Sequence, residues 1–230
     1  MESPKPPTYP VNLVLDRLPV LVVGAGKVAL RKVRGLLAAG AEISVVAPEV
    51  EPEFEELRKE GHIELFKRPY ESGEATGYRL VFSATGDERI DWQVSYDAAT
   101  ASVFTNVADV PDRCNFYLPA VVKRGNLQIG INTDGVAPFV ARRLRERLEN
   151  IFSEEFTSWL ACAGTFREAV LSGVADPHTR EALFDKYFSE TWLASDAPVE
   201  QPVTPEEATW RGWIIEATGD TAAAENRGDG

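Results

Sequence analysis

Along the first hundred residues, short apolar runs alternate with segments whose apolar positions recur at helical spacing. Residues 20–23 are apolar and end in glycine. In residues 27–39, Val28, Leu30, Val33, Leu36 and Leu37 fall near i, i+3, i+4 spacing, which predicts a helix. Residues 43–46 form a second apolar run, stopped by Pro48, and residues 51–60 read as a mostly exposed helix. Residues 63–66, 80–83 and 103–105 read as three further strands, the last running on toward Asp109, with a helix over 89–99. Strands alternating with helices imply a parallel sheet covered on both faces.

After Asp112 the rhythm changes. Residues 115–118 and 127–132 read as strands, with Arg124-Gly125-Asn126 as a turn, and residues 136–149 as a helix with a basic face. Beyond residue 150 the chain reads as helical. Phe152, Phe156, Trp159 and Leu160 form one stripe ending near Gly173, and residues 181–193 form another helix. Thr204, Pro205 and Glu207 make a capping-box pattern opening a helix that buries Trp210, Trp213 and Ile214. Residues 218–230 lack apolar content and read as a frayed tail. The expected class is α/β: residues 1–112 a Rossmann-type parallel-sheet domain, 113–149 a small mixed α/β segment, 150–217 a helical domain, and 218–230 a flexible tail.

The composition is that of a folded globular chain, with 44% apolar and 26% charged residues in 230. No apolar run approaches the ~20 residues of a membrane span. Residues 1–10 carry no apolar core of a signal peptide, so a cytoplasmic location is expected. Two cysteines, Cys114 and Cys162, and two distant histidines, His62 and His178, offer neither a disulfide framework nor a multi-histidine metal site; no metal ligand is assigned. The net charge of −12 disfavours nucleic acid and anionic membranes. That charge is uneven. Residues 113–150 carry 7 basic and 3 acidic groups, whereas residues 151–230 carry 5 basic and 15 acidic. The basic segment is either the exposed face of a helix or a site for an anionic ligand.

Gly24-Ala25-Gly26-Lys27-Val28-Ala29 fits the dinucleotide fingerprint between a strand and a helix. Gly24 suits the tight turn, Gly26 lets a pyrophosphate approach the backbone, and Ala29 keeps helix and strand close. At the end of the second strand, where an acidic residue would grip a ribose, stand Ala47 and Pro48. Glu49 is displaced by two, which leaves NAD against NADP open. Arg31 and Lys32 equally suit a solvent-facing place. No tyrosine is followed four residues later by lysine, which removes the short-chain reductase base. Ser83-Ala84-Thr85-Gly86-Asp87 closes the fourth strand with small residues, and Thr85 can hydrogen-bond a cofactor. Asp109, beyond the fifth, lies at the carboxyl ends of parallel strands, where ligands meet open α/β sheets. It suits either proton transfer or a turn.

Several motifs coincide in order: Val22–Lys32, Val45-Val46-Ala47-Pro48, Ser83–Asp87, Asn106-Val107-Ala108-Asp109, Asn115–Ala120, and Thr133–Pro138 leading to Arg142-Arg143-Leu144-Arg145-Glu146. Over about residues 9–150 the chain resembles the precorrin-2 dehydrogenase/sirohydrochlorin ferrochelatase family, the dehydrogenase module of siroheme synthases. It departs from the usual pattern at Asp134, Asp91 and Gly86. The resemblance implies NAD-dependent oxidation of precorrin-2 to sirohydrochlorin, with ferrous iron insertion in some members. It implies a homodimer formed through the segment after the Rossmann domain, and a separate methyltransferase supplying precorrin-2. It makes Asp109 the catalytic aspartate and assigns Gly24, Gly26, Lys27, Val28, Pro48, Glu49, Thr85 and Asn106 to the NAD site. A polycarboxylate tetrapyrrole then gives the basic segment a use, with Lys123, Arg124, Arg142 and Arg143 as substrate contacts. The rival readings are a non-enzymatic NAD-sensing module and a chelatase of the same family.

Overall fold

An unbroken apolar run makes a strand only where both faces of the sheet are covered. The computed structural model describes residues 7–192 and 202–225. The chain divides into two compact units, Met1–Leu118 and Pro119–Gly230. In the first, β1 (Pro19–Val23), β2 (Glu42–Val46), β3 (Ile63–Phe66), β4 (Leu80–Ser83) and β5 (Phe104–Val107) form one parallel sheet in the order β3-β2-β1-β4-β5. Val20 and Val22 point into one apolar cluster with Ala29, Leu30, Val33 and Leu36 of α1 (Lys27–Leu37) and Phe54 of α2 (Pro52–Lys59). Leu21 and Val23 point the other way, into a second cluster with Val94 and Ala98 of α3 (Glu88–Thr100). Side-chain alternation along β1 therefore feeds two cores, and the Rossmann-type class expected from the alternating pattern is the one observed.

Between β3 and β4 the chain crosses the sheet without a helix, and polar contacts replace helical packing there. The buried Asp97 of α3 accepts from the Tyr70 hydroxyl (2.9 Å), the Gly73 N–H (2.7 Å) and the Gln93 amide (2.8 Å). The Tyr70 hydroxyl in turn accepts from the Ala75 N–H (3.3 Å), so one carboxylate organises the whole crossing.

Residues 115–118 are not the expected strand. After a 3₁₀ turn at Pro111–Arg113, Asn115 pairs alone with Thr105, through its own N–H (3.1 Å) and through its side-chain oxygen (2.7 Å). The Phe116 ring then packs edge-on against Phe82 (5.4 Å), and Pro119 precedes the real strand, β6 (Ala120–Arg124). The apolar run at 115–118 thus serves a core rather than a ladder.

In the second unit β6 pairs antiparallel with β7 (Leu127–Ile131), followed by α4 (Pro138–Ile151). α5 (Glu155–Gly173), α6 (Pro177–Thr191), α7 (Glu207–Thr218) and α8 (Ala222–Glu225) build an aromatic core around Phe156, Trp159, Phe166, Tyr187 and Trp210. Its buried polar groups are paired: the Trp159 indole donates to Thr191 (2.8 Å) and the Tyr187 hydroxyl to the Trp159 carbonyl (3.0 Å). α6 begins earlier than expected, because Asp176 caps it by accepting from the Thr179 N–H (2.8 Å); Leu193, its expected last residue, lies outside the described residues.

The capping box at Thr204 does not form, and α7 starts at Glu207. The preceding chain is held extended: Pro202 bridges Trp192, the Val203 N–H donates to the Thr191 carbonyl (2.8 Å), and the Pro205 carbonyl faces the Cys162 thiol (3.7 Å). The expected tail is ordered through Glu225, because Ala223 is buried against Gly173, where a methyl group would meet the Ala223 backbone; residues 226–230 lie outside the described residues. Among the described residues no helix is long and apolar enough to cross a membrane.

Asp97→Asn is expected to lower stability by about 1–3 kcal/mol at neutral pH, since donors facing its second oxygen lose their acceptor. Burial pushes the Asp97 carboxyl up, but hydrogen bonds from the Gly73 N–H, Tyr70, Gln93 and Ser72 together outweigh it and hold it below the ordinary value. The stabilisation is therefore present above the unfolded carboxylate range and is lost as pH falls through the lower folded value. Urea unfolding should show a gap between wild type and variant that narrows in acid; equal midpoints at neutral pH would contradict this.

Candidate active site

At the carboxyl end of β1 the chain must turn sharply into α1 while passing β4. The Gly24 N–H donates to the Val46 carbonyl (2.9 Å) and the Ala84 N–H to the Val23 carbonyl (2.8 Å), so the turn is anchored to both neighbouring strands. Gly24 takes φ +100°, and a methyl there would come within 2.7 Å of the Ala84 carbonyl carbon and closer still to its oxygen. Gly26, the N-terminal boundary of α1, has no side-chain cap, and nothing lies within 4 Å of where its Cβ would be. The first-turn N–H groups of a helix have no intrahelical acceptor and attract anions. A cleft of about 710 Å³ opens here, from Gly26, Lys27 and Val28 to Ala84, Thr85 and Gly86, and on to Asp91, Asp109 and Arg113. Uncapped helix start, open space over Gly26 and the volume of the cleft together fit the pyrophosphate and the adjoining half of a dinucleotide.

The far wall of the cleft is polar and tightly organised. Asp91, 5% exposed, accepts on Oδ1 from the Ser83 hydroxyl (2.6 Å) and the Thr85 hydroxyl (2.7 Å). Asp87 caps α3 by accepting from the Arg89 and Ile90 N–H groups; the Arg89 N–H bond is the main cause that holds its carboxyl below the usual range. Asp109 is exposed at the turn after β5 with φ +60°, a conformation rare for a residue with a side chain. The Cys114 sulfur closes that turn, accepting from the Val107 N–H (3.2 Å) and lying 3.4 Å from the Val110 carbonyl. Burial pushes the Cys114 thiol up, which suits a packing role. Arg113 ties the turn to α3 through Glu88 (3.2 Å).

Of the residues assigned from the sequence, Gly26, Lys27, Val28, Thr85 and Asp109 line this one cleft, and Gly24 shapes its floor. Pro48 and Glu49 are exposed on the adjoining loop, which the Glu51 N–H ties to the Ala25 carbonyl (3.0 Å). Asn106 stands elsewhere. It is buried, with its oxygen accepting from Lys32 (2.8 Å) and its amide donating to the Phe116 carbonyl (3.1 Å). Lys32 is not solvent-facing: its ammonium lies 5.2 Å from the Phe82 ring centre. Burial and then Arg31 lower its pKa, against Cys114 and Asp109, which act to raise it. Sequence reasoning missed Asp91 and Arg113. The signal for Asp91 was two hydroxyl residues closing β4 with a carboxylate six and eight positions later in the opening turns of α3.

In the second unit the basic residues divide. Arg124 is half-buried and committed, donating to the Glu149 carbonyl (3.0 Å) at the end of α4 and facing Glu154 (3.4 Å). Lys123, Arg142 and Arg143 are exposed, with Arg143 on Glu146 at 2.8 Å. Among the described residues no group of three or more His, Cys, Asp or Glu side chains stands together to hold a metal ion.

Gly24→Ala is expected to cost about 1–3 kcal/mol through its backbone conformation and to abolish dinucleotide binding, because relief of the contact with Ala84 moves the turn. Thermal melts and titration with the dinucleotide check this; wild-type affinity in the variant would contradict it.

Comparison with known proteins agrees with the cleft. A family model for NAD(P)-binding chains matches residues 11–120, and one for the central part of sirohaem biosynthesis proteins matches residues 124–151. Siroheme synthase 3 of Aeromonas hydrophila is 39% identical over 177 residues, covering 77% of this chain and 38% of that protein. A siroheme synthase of Pseudomonas putida is 40% identical over 169 residues, covering 74% and 36%. The chain thus spans less than two-fifths of the length of these relatives. The solved structure of SirC, a precorrin-2 dehydrogenase, superposes with a TM-score of 0.74 at 24% identity over 93% of this chain and 100% of that one, a likeness of fold. With both segments matched in order and relatives near 40% identity, the chain belongs to the siroheme synthase family, in the part that carries its NAD(P)-binding and central segments.

Proposed function

We propose that this chain is an NAD-dependent oxidoreductase that converts precorrin-2 to sirohydrochlorin in siroheme biosynthesis. The observation that carries the reading is that one cleft is lined by both the uncapped helix start and the exposed Asp109. The fold it shares with SirC, named a precorrin-2 dehydrogenase, supports the substrate. When bound, the oxidised nicotinamide supplies an acceptor for a hydride from a saturated bridging carbon of the macrocycle. The two-electron oxidation also releases a proton, and Asp109 takes it or orients the ring for its loss. Gly24, Gly26, Lys27 and Val28 hold the pyrophosphate on the α1 N–H groups, and Pro48 and Glu49 flank the adenine ribose. Thr85 shapes the wall beside the ring through Asp91.

Lys123, Arg142 and Arg143 are the substrate contacts we favour, since exposed cations suit the carboxylates of a tetrapyrrole while Arg124 is already engaged. Asn106 acts in this reading by holding Lys32 rather than by touching NAD. Ferrous iron, where inserted, is a substrate of the same reading, supported by relatives named siroheme synthases. The reaction takes place in the cytoplasm in this reading, where the free Cys114 and Cys162 stay reduced. A homodimer formed through the second unit is supported by a hairpin of only two strands and by exposed Phe139, Val140 and Leu144 on α4. A monomer mass in sedimentation at micromolar concentration would contradict that dimer.

The test is anaerobic: protein, NAD and enzymatically generated precorrin-2 are mixed, and NADH and sirohydrochlorin are followed together. Both should rise in equal amounts, and ferrous iron added afterwards reports chelation. Asp109→Asn should lower the rate by about 10²–10⁴-fold while keeping NAD affinity. A variant at full rate would remove Asp109 from the chemistry, and NAD binding with neither signal would leave only a sensor.

A further inference from the structure

We infer that Asp91 is the residue that recognises the nicotinamide carboxamide, accepting its N–H on Oδ2. The inference rests on the dinucleotide reading of the cleft. Asp91 lines that cleft while being 5% exposed, so its carboxylate is sunk into the wall and not waving in solvent. Both hydroxyls that reach it, from Ser83 at 2.6 Å and Thr85 at 2.7 Å, bond the same oxygen, Oδ1. Oδ2 has no hydrogen-bond partner among the described residues and is not among their buried unpaired atoms, so it stays open to a ligand. A ligand donor that meets this carboxylate oxygen in the cleft gains a charge-assisted hydrogen bond.

The position selects the donor. The α1 start at Gly26 takes the phosphates in this reading, and the reacting ring lies in the same cleft beside Asp109. Ala84 and Gly86 leave that stretch of wall without bulk, so a flat ring can lie against the end of β4, next to Asp91. The only hydrogen-bond donor that a nicotinamide ring carries is its carboxamide N–H₂. Ser83 and Thr85 then act as positioning residues: by holding Oδ1 they fix the carboxylate plane and aim Oδ2 into the cleft.

A ligand series tests this by binding alone, using calorimetry on the full chain. NAD, its 3-acetylpyridine analogue, which has a methyl in place of the amide nitrogen, and ADP-ribose, which lacks the ring, are each titrated into wild type and Asp91→Asn. Wild type should bind NAD about tenfold more tightly than the acetyl analogue, the value of one hydrogen bond to a charged acceptor. Asp91→Asn presents an amide N–H to the cleft, which either carbonyl of the two ligands can satisfy, so the preference should fall to about one. ADP-ribose affinity should be equal in both proteins, which also reports that the variant is folded. Equal binding of NAD and the analogue by wild type, or a preference that survives in the variant, overturns the inference while the dinucleotide reading stands. Equal loss of all three ligands in the variant assigns Asp91 to the fold alone and overturns it too. Failure of wild type to bind NAD or ADP-ribose overturns both readings together.

Discussion

At the end of β1 the backbone of Gly24 lies so close to the Ala84 carbonyl that no side chain fits between them. That contact is a consequence of the sheet order. β1 and β4 are neighbours, yet the helices that follow them cover opposite faces, so the chain leaves the two strands in opposite directions. A crevice opens where it does so. The residues of the cleft are set by this divergence: the α1 start on one side, and on the other the end of β4 with Ser83, Thr85 and, through them, Asp91. A larger residue at 24 would push β1 and β4 apart at the point where the crevice must be narrow.

The part of the cleft that Asp109 lines is built by different physics. β5 ends at Val107, and within seven residues the chain turns back to pair Asn115 with Thr105. Asp109 sits at the tip of this turn with positive φ, and three side chains hold the turn in place. Cys114 bonds the Val107 backbone, Arg113 reaches Glu88, and Asn106 joins Lys32 of α1 to the Phe116 carbonyl. The half-buried Lys32 ammonium pays for its desolvation with the Asn106 oxygen and the Phe82 ring, and brings positive charge toward Asp109. A backbone conformation that a free aspartate seldom adopts is thus imposed by its surroundings, which is how functional sites commonly hold such residues.

Much of the first unit is legible in the sequence, because each strand there is a short apolar run covered on both sides. β3 and β4 fall on the residues expected for them, and α1 begins where the glycine motif says it should. What local pattern does not carry is polar and tertiary. Residues 115–118 have the composition of a strand, but Phe116 is drawn into the core beside Phe82, and Asn115 alone supplies the pairing. Thr204 and Pro205 have the chemistry of a helix start, yet the pairing of residues 202 and 203 with the end of α6 keeps them extended. Among the residues lining or shaping the cleft, the glycines, Thr85 and Asp109 were readable from spacing and topology, and Lys27 and Val28 from the family resemblance. Asn106 and Arg124 carry polar groups whose partners, Lys32 and the end of α4, are invisible until the chain is folded. The same holds for Asp91, whose exposure and direction follow from two hydroxyls on a neighbouring strand.

The central claim is that one dinucleotide sets its pyrophosphate on the α1 start and its nicotinamide half in the cleft that Asp109 lines. A crystal structure of the protein soaked with NAD measures this directly. The account predicts the pyrophosphate on the N–H groups after Gly26, the adenosine toward Pro48 and Glu49, and the nicotinamide ring against Ala84 with Asp109 at its open face. A dinucleotide bound with its ring at the Pro48 end, or in any other part of the chain, would contradict it.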